Sequence, residues 1–289
     1  MKNFSINRGV LAIMIVLFSI PLGHTLMVLN DAITGYNKYH VAGGIGCLGI
    51  GLLIYGIIIN RLPVQSSILG FLGGVLVWTG WIEFSFVWTA EKLKVAPLLE
   101  NNEIATRSEY LVMMSSAGLL CTVIFIFLFT DSRCKLFIWW QKLLQLRQFI
   151  HHKSYKRPAA VVTFFETIMV IWTFYLVLLF VYDEQFAGTY HWLTYVVAFG
   201  SLIWSLILGS RLIKIKQLDF AIKYAIPTVV IFWNFVEILG RWHFLEEIWI
   251  SPSDYWLENS IILGIFCCFI VRGFLLKNKR KSAVRSSQV

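Results

Sequence analysis

Six ionisable side chains fall inside or at the mouths of segments that otherwise look like hydrocarbon: His24, His40, Glu83, Glu166, His191 and Glu237. An ionisable group at the centre of an apolar span costs about 2.5–3.5 kcal/mol on insertion scales, so each needs a partner, water or a function. Imidazoles and carboxylates gathered at one depth suit Zn, Fe, Cu or haem as a metal centre, and they suit a relay of protons equally well. The candidate metal set is therefore Glu83, His24, Glu237, His40 and His191, with Glu166 as a proton relay on the opposite side of the membrane. No HxxxH, HExxH or ExxH spacing places two of these ligands on one helical face.

Each residue also has a plainer reading. His40 and His191 both follow a tyrosine at the start of an apolar run, where amphipathic rings anchor at the headgroups. Glu237 has Arg241 four residues on, the favourable spacing for an intrahelical pair. Glu83 has no such neighbour and is the strongest candidate for a functional carboxylate. His24 follows Pro21 and Gly23, a composition that kinks helices and frees backbone carbonyls.

The elements that must position these groups follow from composition. The chain of 289 residues is 58% hydrophobic and only 14% charged, where a soluble domain carries about 25% charged residues. Eight segments have the roughly 20-residue apolar length that crosses a bilayer. They lie near 9–29, 41–60, 67–89, 110–130, 159–182, 191–210, 221–240 and 257–276. None alternates strictly, so the expectation is an all-α integral membrane protein with eight transmembrane helices.

The net charge of +9 is distributed by side, which argues for a membrane rather than nucleic acid as the partner. With the N-terminus inside, Lys2, Arg8, Arg61, seven basic residues from Arg133 to Arg157, four from Arg211 to Lys223 and six from Arg272 to Arg285 face the cytoplasm. Only Lys38, Lys92, Lys94, Arg107 and Arg241 remain outside, together with most of the acids, as the positive-inside rule requires. Both termini are then cytoplasmic, and the location expected is the cell inner membrane. The first apolar run has no small-residue cleavage pattern and reads as a retained span.

Cys47, Cys121, Cys267 and Cys268 fall within spans and Cys134 in a cytoplasmic connector, so reduced thiols are expected. The stretch 133–158 reads as a basic connector, with an amphipathic helix from Arg133 to His152 whose Gln141, Lys142, Gln145 and Gln148 face water while Trp139 and Trp140 sit at headgroup level. The tail 277–289 is basic and suits anionic lipid at the cytoplasmic face.

Self-similarity divides the rest into a first four-helix repeat, 1–132, and a second, 159–276. The run from Tyr39 and the run from Tyr190 both open with Tyr-His and both reach Arg-Leu, at Arg61 and Arg211. Glu83 with Trp88 matches Glu237 with Trp242, Asp31 matches Asp183, and Leu111, Gly118 and Cys121 match Leu257, Gly264 and Cys267. Repeats with an even number of spans enter the membrane in the same direction and are related by a pseudo-two-fold axis along its normal. The counterpart of His24 falls near Leu176, which makes any site using His24 asymmetric.

No phosphate-binding, dinucleotide-binding or nucleophile-elbow pattern occurs. Three classes of function remain: a metal- or haem-binding membrane protein such as an oxidoreductase; a small proton- or cation-coupled transporter or channel; and a structural subunit of a membrane complex. The acidic, aromatic connectors EKLKVAPLLENNEIATRSE and RWHFLEEIWISPSDYW could form a lid, although interfacial anchoring by Trp242, Trp249 and Trp256 is the plainer reading.

Overall fold

The structure is a computed structural model that describes residues 7–100, 103–130, 135–146 and 157–276. It is helical almost throughout, and among the described residues six helical runs are long and apolar enough to cross a membrane, or seven if one bent pair counts as a span. The chain is therefore a polytopic membrane protein. The first run, Arg8–Ile58, has 51 residues, which at 1.5 Å per residue would reach about 76 Å, more than twice the thickness of a hydrocarbon core. It contains α1 (Arg8–Thr34) and α2 (Lys38–Ile58), separated by a 3-10 turn over Gly35–Asn37. Gly35 takes φ 47°, a value that favours glycine. Asn30 Nδ2 donates to Lys38 O at 3.0 Å, tying the two sides of the turn together.

The third expected span is longer than the apolar count suggested. It runs through α3 (Pro63–Val77), a π-helical segment (Trp78–Glu83) and α4 (Phe84–Leu93). A short hairpin of β1 (Leu98–Glu100) and β2 (Glu103–Thr106) follows. The fourth expected span is broken, because α5 (Ser108–Met114) and α6 (Ala117–Phe129) meet at 47°. Beyond α7 (Lys135–Leu143) the second half contains α8 (Ala159–Tyr182), α9 (Trp192–Leu212), α10 (Leu218–Arg241) and α11 (Trp256–Leu275).

The helices of the two halves are interleaved. In the first half α2 packs along α3, and in the second α9 packs along α10; between halves, α1 packs on α10 and α3 on α8. The starts of α1 and α8 are held in corresponding ways. Asn7 Nδ2 donates to Ile213 O at 2.9 Å and Arg8 Nη1 to Lys216 O at 2.7 Å, which fixes α1 to the α9–α10 connector. Ala159 N donates to Asn60 Oδ1 at 3.1 Å and Ala160 N to Ser66 Oγ at 3.0 Å, which fixes α8 to the α2–α3 connector and the first turn of α3.

Near these anchors lies the densest core, where Leu11, Ile15, Ile68, Leu218, Ile222 and Ile226 are essentially inaccessible. Close backbone approach depends on glycine here: a Cβ on Gly49 would stand 2.8 Å from Gly73 O, and one on Gly73 would stand 2.7 Å from Gly49 O. Gly46 is likewise covered by the Trp81 ring, whereas Gly43, Gly44 and Gly51 face open space. Only part of the glycine run in α2 therefore serves packing inside the chain.

The connector helix departs from the expected amphipathic pattern. Gln141 is 1% exposed and its Nε2 donates to Phe127 O, Leu128 O and Thr130 O at 3.2, 3.1 and 2.9 Å. It thereby satisfies carbonyls at the C-terminal end of α6 that the helix itself leaves free. Trp139 and Trp140 are exposed, as expected. Arg133, Cys134, Gln148, His152 and the basic tail lie outside the described residues. Cys47, Cys121, Cys267 and Cys268 are free thiols.

Candidate functional site

Away from the dense core, the bundle opens into a cavity of about 910 Å³ lined by α1, the α3–π segment, α5, α8, α10 and the connector between α10 and α11. Three of the five candidate ligands line it: His24, Glu83 and Glu237. Each reaches the cavity for a local reason. His24 lies on the face of α1 that also presents Ser19, Ile20, Met27 and Val28. Glu83 is the last residue of the π-helical segment. The wider turn of a π-helix inserts a residue and re-aims the side chains after it, and here it delivers Glu83 to the interior with 2% exposure. Glu237 follows Asn234 by three residues and Val230 by seven, on the face of α10 that lines the cavity.

A side chain that the sequence reading passed over connects them. Tyr175 of α8 places its hydroxyl 3.1 Å from His24 Nε2 and donates to Glu83 Oε1 at 3.4 Å. On the other side, His24 Nε2 lies 3.8 Å from Glu237 Oε1, and Trp233 Nε1 donates to the same oxygen at 2.6 Å. The result is a row of polar groups, Glu83–Tyr175–His24–Glu237, across the cavity, hydrogen-bonded from Glu83 to His24 and closed to Glu237 by the 3.8 Å approach. Trp78 and Tyr110 tilt against the Tyr175 ring, with centroids 5.7 and 5.8 Å away, which limits its movement. The 151 residues that separate the two Tyr-His pairs also separate His24 from Tyr175.

The remaining candidates lie elsewhere. His40 is exposed at the start of α2, next to Tyr39, whose hydroxyl donates to Glu91 Oε2 at 2.5 Å. His191 is the N-cap of α9, its Nδ1 accepting from Leu193 N at 3.3 Å. Neither is among the residues lining the cavity. Glu166 is buried in α8, nine residues before Tyr175 and so about two and a half turns away, and it too lies outside the cavity wall. Among the described residues, no group of three or more His, Cys, Asp or Glu side chains is arranged to hold a metal ion.

The α10–α11 connector lines part of the cavity. Glu246, Glu247, Trp249 and Tyr255 line it, and Trp249, expected at the interface, is instead 8% exposed and tilted against Trp233 at 4.9 Å. Asn259 holds this connector: its Nδ2 donates to Ile248 O and Tyr255 O, both at 2.9 Å, while its Oδ1 accepts from Thr25 Oγ1 at 2.8 Å. The connector is thus tied to the residue beside His24. Burial raises the Glu247 carboxyl above its ordinary range, against the opposing pull of Arg241 and His243. Trp256 stays exposed, as an interfacial anchor would.

No protein-family model matches this chain, and neither a curated protein nor a solved structure matches it.

Proposed function

We propose that this protein is a small proton- or cation-coupled transporter whose path runs through the central cavity, with Glu83 and Glu237 as the groups that take up and release the charge. The observation that carries this reading is the chain Glu83–Tyr175–His24–Glu237. It links a buried carboxylate, Glu83, to a half-buried one, Glu237, through a phenol and an imidazole, groups that can each give and accept a proton. Intramembrane carboxylates and histidines facing an interior cavity are the usual components of such pathways.

The same proposal includes eight spans, with α1 and α2 crossing separately and the bent α5–α6 pair crossing once. It includes cytoplasmic termini in a cell inner membrane, and a tandem duplication of four helices. The interleaving supports the duplication: α1 on α10 and α3 on α8 are corresponding contacts under an exchange of halves, as are the anchors of α1 and α8. The pairs His24 with Tyr175 and Glu83 with Glu237 then face one another across the axis.

A metal centre is the second reading, favoured by the approach of His24 to Glu237. The two are separated by reconstituting the protein in liposomes under an imposed pH gradient and assaying the same preparation for metal. Transport predicts that wild-type vesicles dissipate the gradient faster than empty ones and that Glu83→Gln with Glu237→Gln abolishes the difference. Stoichiometric metal, lost in the double variant, with no proton movement in the wild type would replace this reading with the metal centre.

A further inference from the structure

The carboxylate of Glu237 is answered by no fixed Lys or Arg. Arg241, four residues on and spaced for an intrahelical pair, turns elsewhere: its Nε donates to Thr189 Oγ1 at 3.4 Å, and its guanidinium lies 5.2 Å from the centre of the Tyr182 ring. Among the described residues the one ion-pair approach to Glu237 is that of His24, and His24 and Trp233 both meet Oε1. The other oxygen, Oε2, meets no donor among the described residues and is not an enclosed atom. The 20% exposure of this side chain therefore includes it. A carboxylate within a span needs a partner, and here the cavity that Glu237 lines is where one can arrive.

The surroundings select the class of partner. Four carboxylates line the cavity, Glu83, Glu237, Glu246 and Glu247, against two guanidiniums. Both guanidiniums stand among carboxylates of the protein, Arg107 in the field of Glu83 and Glu109 and Arg241 in that of Glu247, so the wall favours a cation over an anion. A hard metal ion asks for about six oxygen ligands, more than one carboxylate and an imidazole supply. An organic ammonium ion is held instead by a carboxylate and aromatic faces. Two rings flank Glu237 at short range: the Trp233 indole, bonded to Oε1 at 2.6 Å, and Tyr175, whose hydroxyl is 3.1 Å from the His24 Nε2 that approaches the same oxygen. Both line the cavity and both are partly exposed. The cavity reaches the protein surface where its wall includes the exposed residues Glu246, Ile250 and Ser251, and its volume is in the range that encloses a small organic molecule.

We propose that Glu237, flanked by Trp233 and Tyr175, is the recognition point for an organic ammonium ion with an apolar body, the cargo class of this cavity. This rests on the transport reading in taking the cavity as the path, but the site can be tested without any proton measurement. The probe is benzyltrimethylammonium, which carries a permanent charge. Dimethylbenzylcarbinol has nearly the same shape without the charge, and phenylmethanesulfonate reverses it. Binding of each to protein in phosphatidylcholine nanodiscs, against empty nanodiscs, is followed by saturation-transfer NMR.

The wild type is expected to bind the ammonium ion saturably and about tenfold more tightly than the alcohol, the ratio that about 1.4 kcal/mol produces, with the sulfonate weakest. Glu237→Gln should lower ammonium binding to the level of the alcohol and leave alcohol binding unchanged, which a general loss of structure would not do. Glu237→Asp should keep part of the preference, and Trp233→Leu should lower ammonium binding about threefold through the lost ring face. The wild-type ratio tests the charge preference even where a variant does not fold. Equal binding of ammonium ion and alcohol, tighter binding of the sulfonate, binding of none, or a preference that survives Glu237→Gln would overturn the proposal. Displacement of the probe by equimolar sodium would give the carboxylate to an inorganic ion and overturn it as well. Ammonium-selective binding without proton movement would keep this site and discard the relay, and proton movement without ammonium selectivity would do the reverse.

Discussion

The polar chain has two arms that are built alike and furnished differently. In one, α1 lies against α10 and an imidazole approaches a carboxylate, His24 to Glu237 at 3.8 Å. In the other, α8 lies beside the α3–π segment and a phenol approaches a carboxylate, Tyr175 to Glu83 at 3.4 Å. An imidazole carries two ring nitrogens and can take a proton at one while giving it up at the other, whereas a phenol passes a hydrogen bond along through a single oxygen. The difference teaches that a shared framework can carry different chemistry; under the proposed transport function, it is these two side chains that would set the direction of proton movement. Glu83 at 2% exposure is the enclosed terminus; His24 and Glu237, with side chains 16% and 20% exposed, form the accessible one.

The largest effect should come from removing both termini. Glu83→Gln with Glu237→Gln is expected to lower proton flux about a hundredfold, the lower end of what a positioned proton-transfer group contributes, as read from a pH-sensitive dye trapped in vesicles. Exchanging the furniture sharpens the comparison. His24→Tyr makes both arms phenolic and should cost about tenfold in flux, while Tyr175→His, which makes both imidazole, should retain most of it. Equal losses from the two exchanges would mean that the arms are not functionally distinct.

The framework can be broken independently of the chemistry. Gly46→Leu drives a side chain into the Trp81 ring, against the segment that aims Glu83. Overpacking of this kind costs about 1–3 kcal/mol, so both the unfolding temperature and flux should fall, whereas the same change at Gly43, which faces open space, should leave both near wild type.

The smallest effect concerns the α10–α11 connector. The Glu247 carboxyl is raised by burial, so the folded form holds its proton more tightly than the unfolded form does. Its contribution is present below the unfolded carboxylate range and is lost as pH rises through the raised value. Amide hydrogen exchange over 242–255, corrected for its intrinsic pH dependence, should show less protection as pH increases through that window, and Glu247→Gln should flatten the change.

Much of the scaffold was legible because lipid imposes length and apolarity on each helix, and the carboxylates at 83 and 237 stood out because charge in such segments is costly. His24 was legible for the same reason. Tyr175 was not, since tyrosine is unremarkable in an aromatic-rich span; under the proposed duplication, the 151-residue offset of the Tyr-His pair carries His24 onto it. The π-helical turn that aims Glu83 leaves no pattern in an apolar sequence. His40 and His191 share a Tyr-His motif, but the motif marks where α2 and α9 begin; Tyr190 reaches the cavity wall there, whereas neither histidine does. Gln141 looked like a water-facing residue because helical periodicity could not anticipate the free carbonyls at the end of α6.

The most direct test of the central claim is proton flux in vesicles containing Tyr175→Phe, which deletes one oxygen from the chain and keeps the ring packed against Trp78 and Tyr110. The account predicts a folded protein with wild-type unfolding temperature and flux reduced at least about tenfold; flux equal to that of the wild type would contradict it.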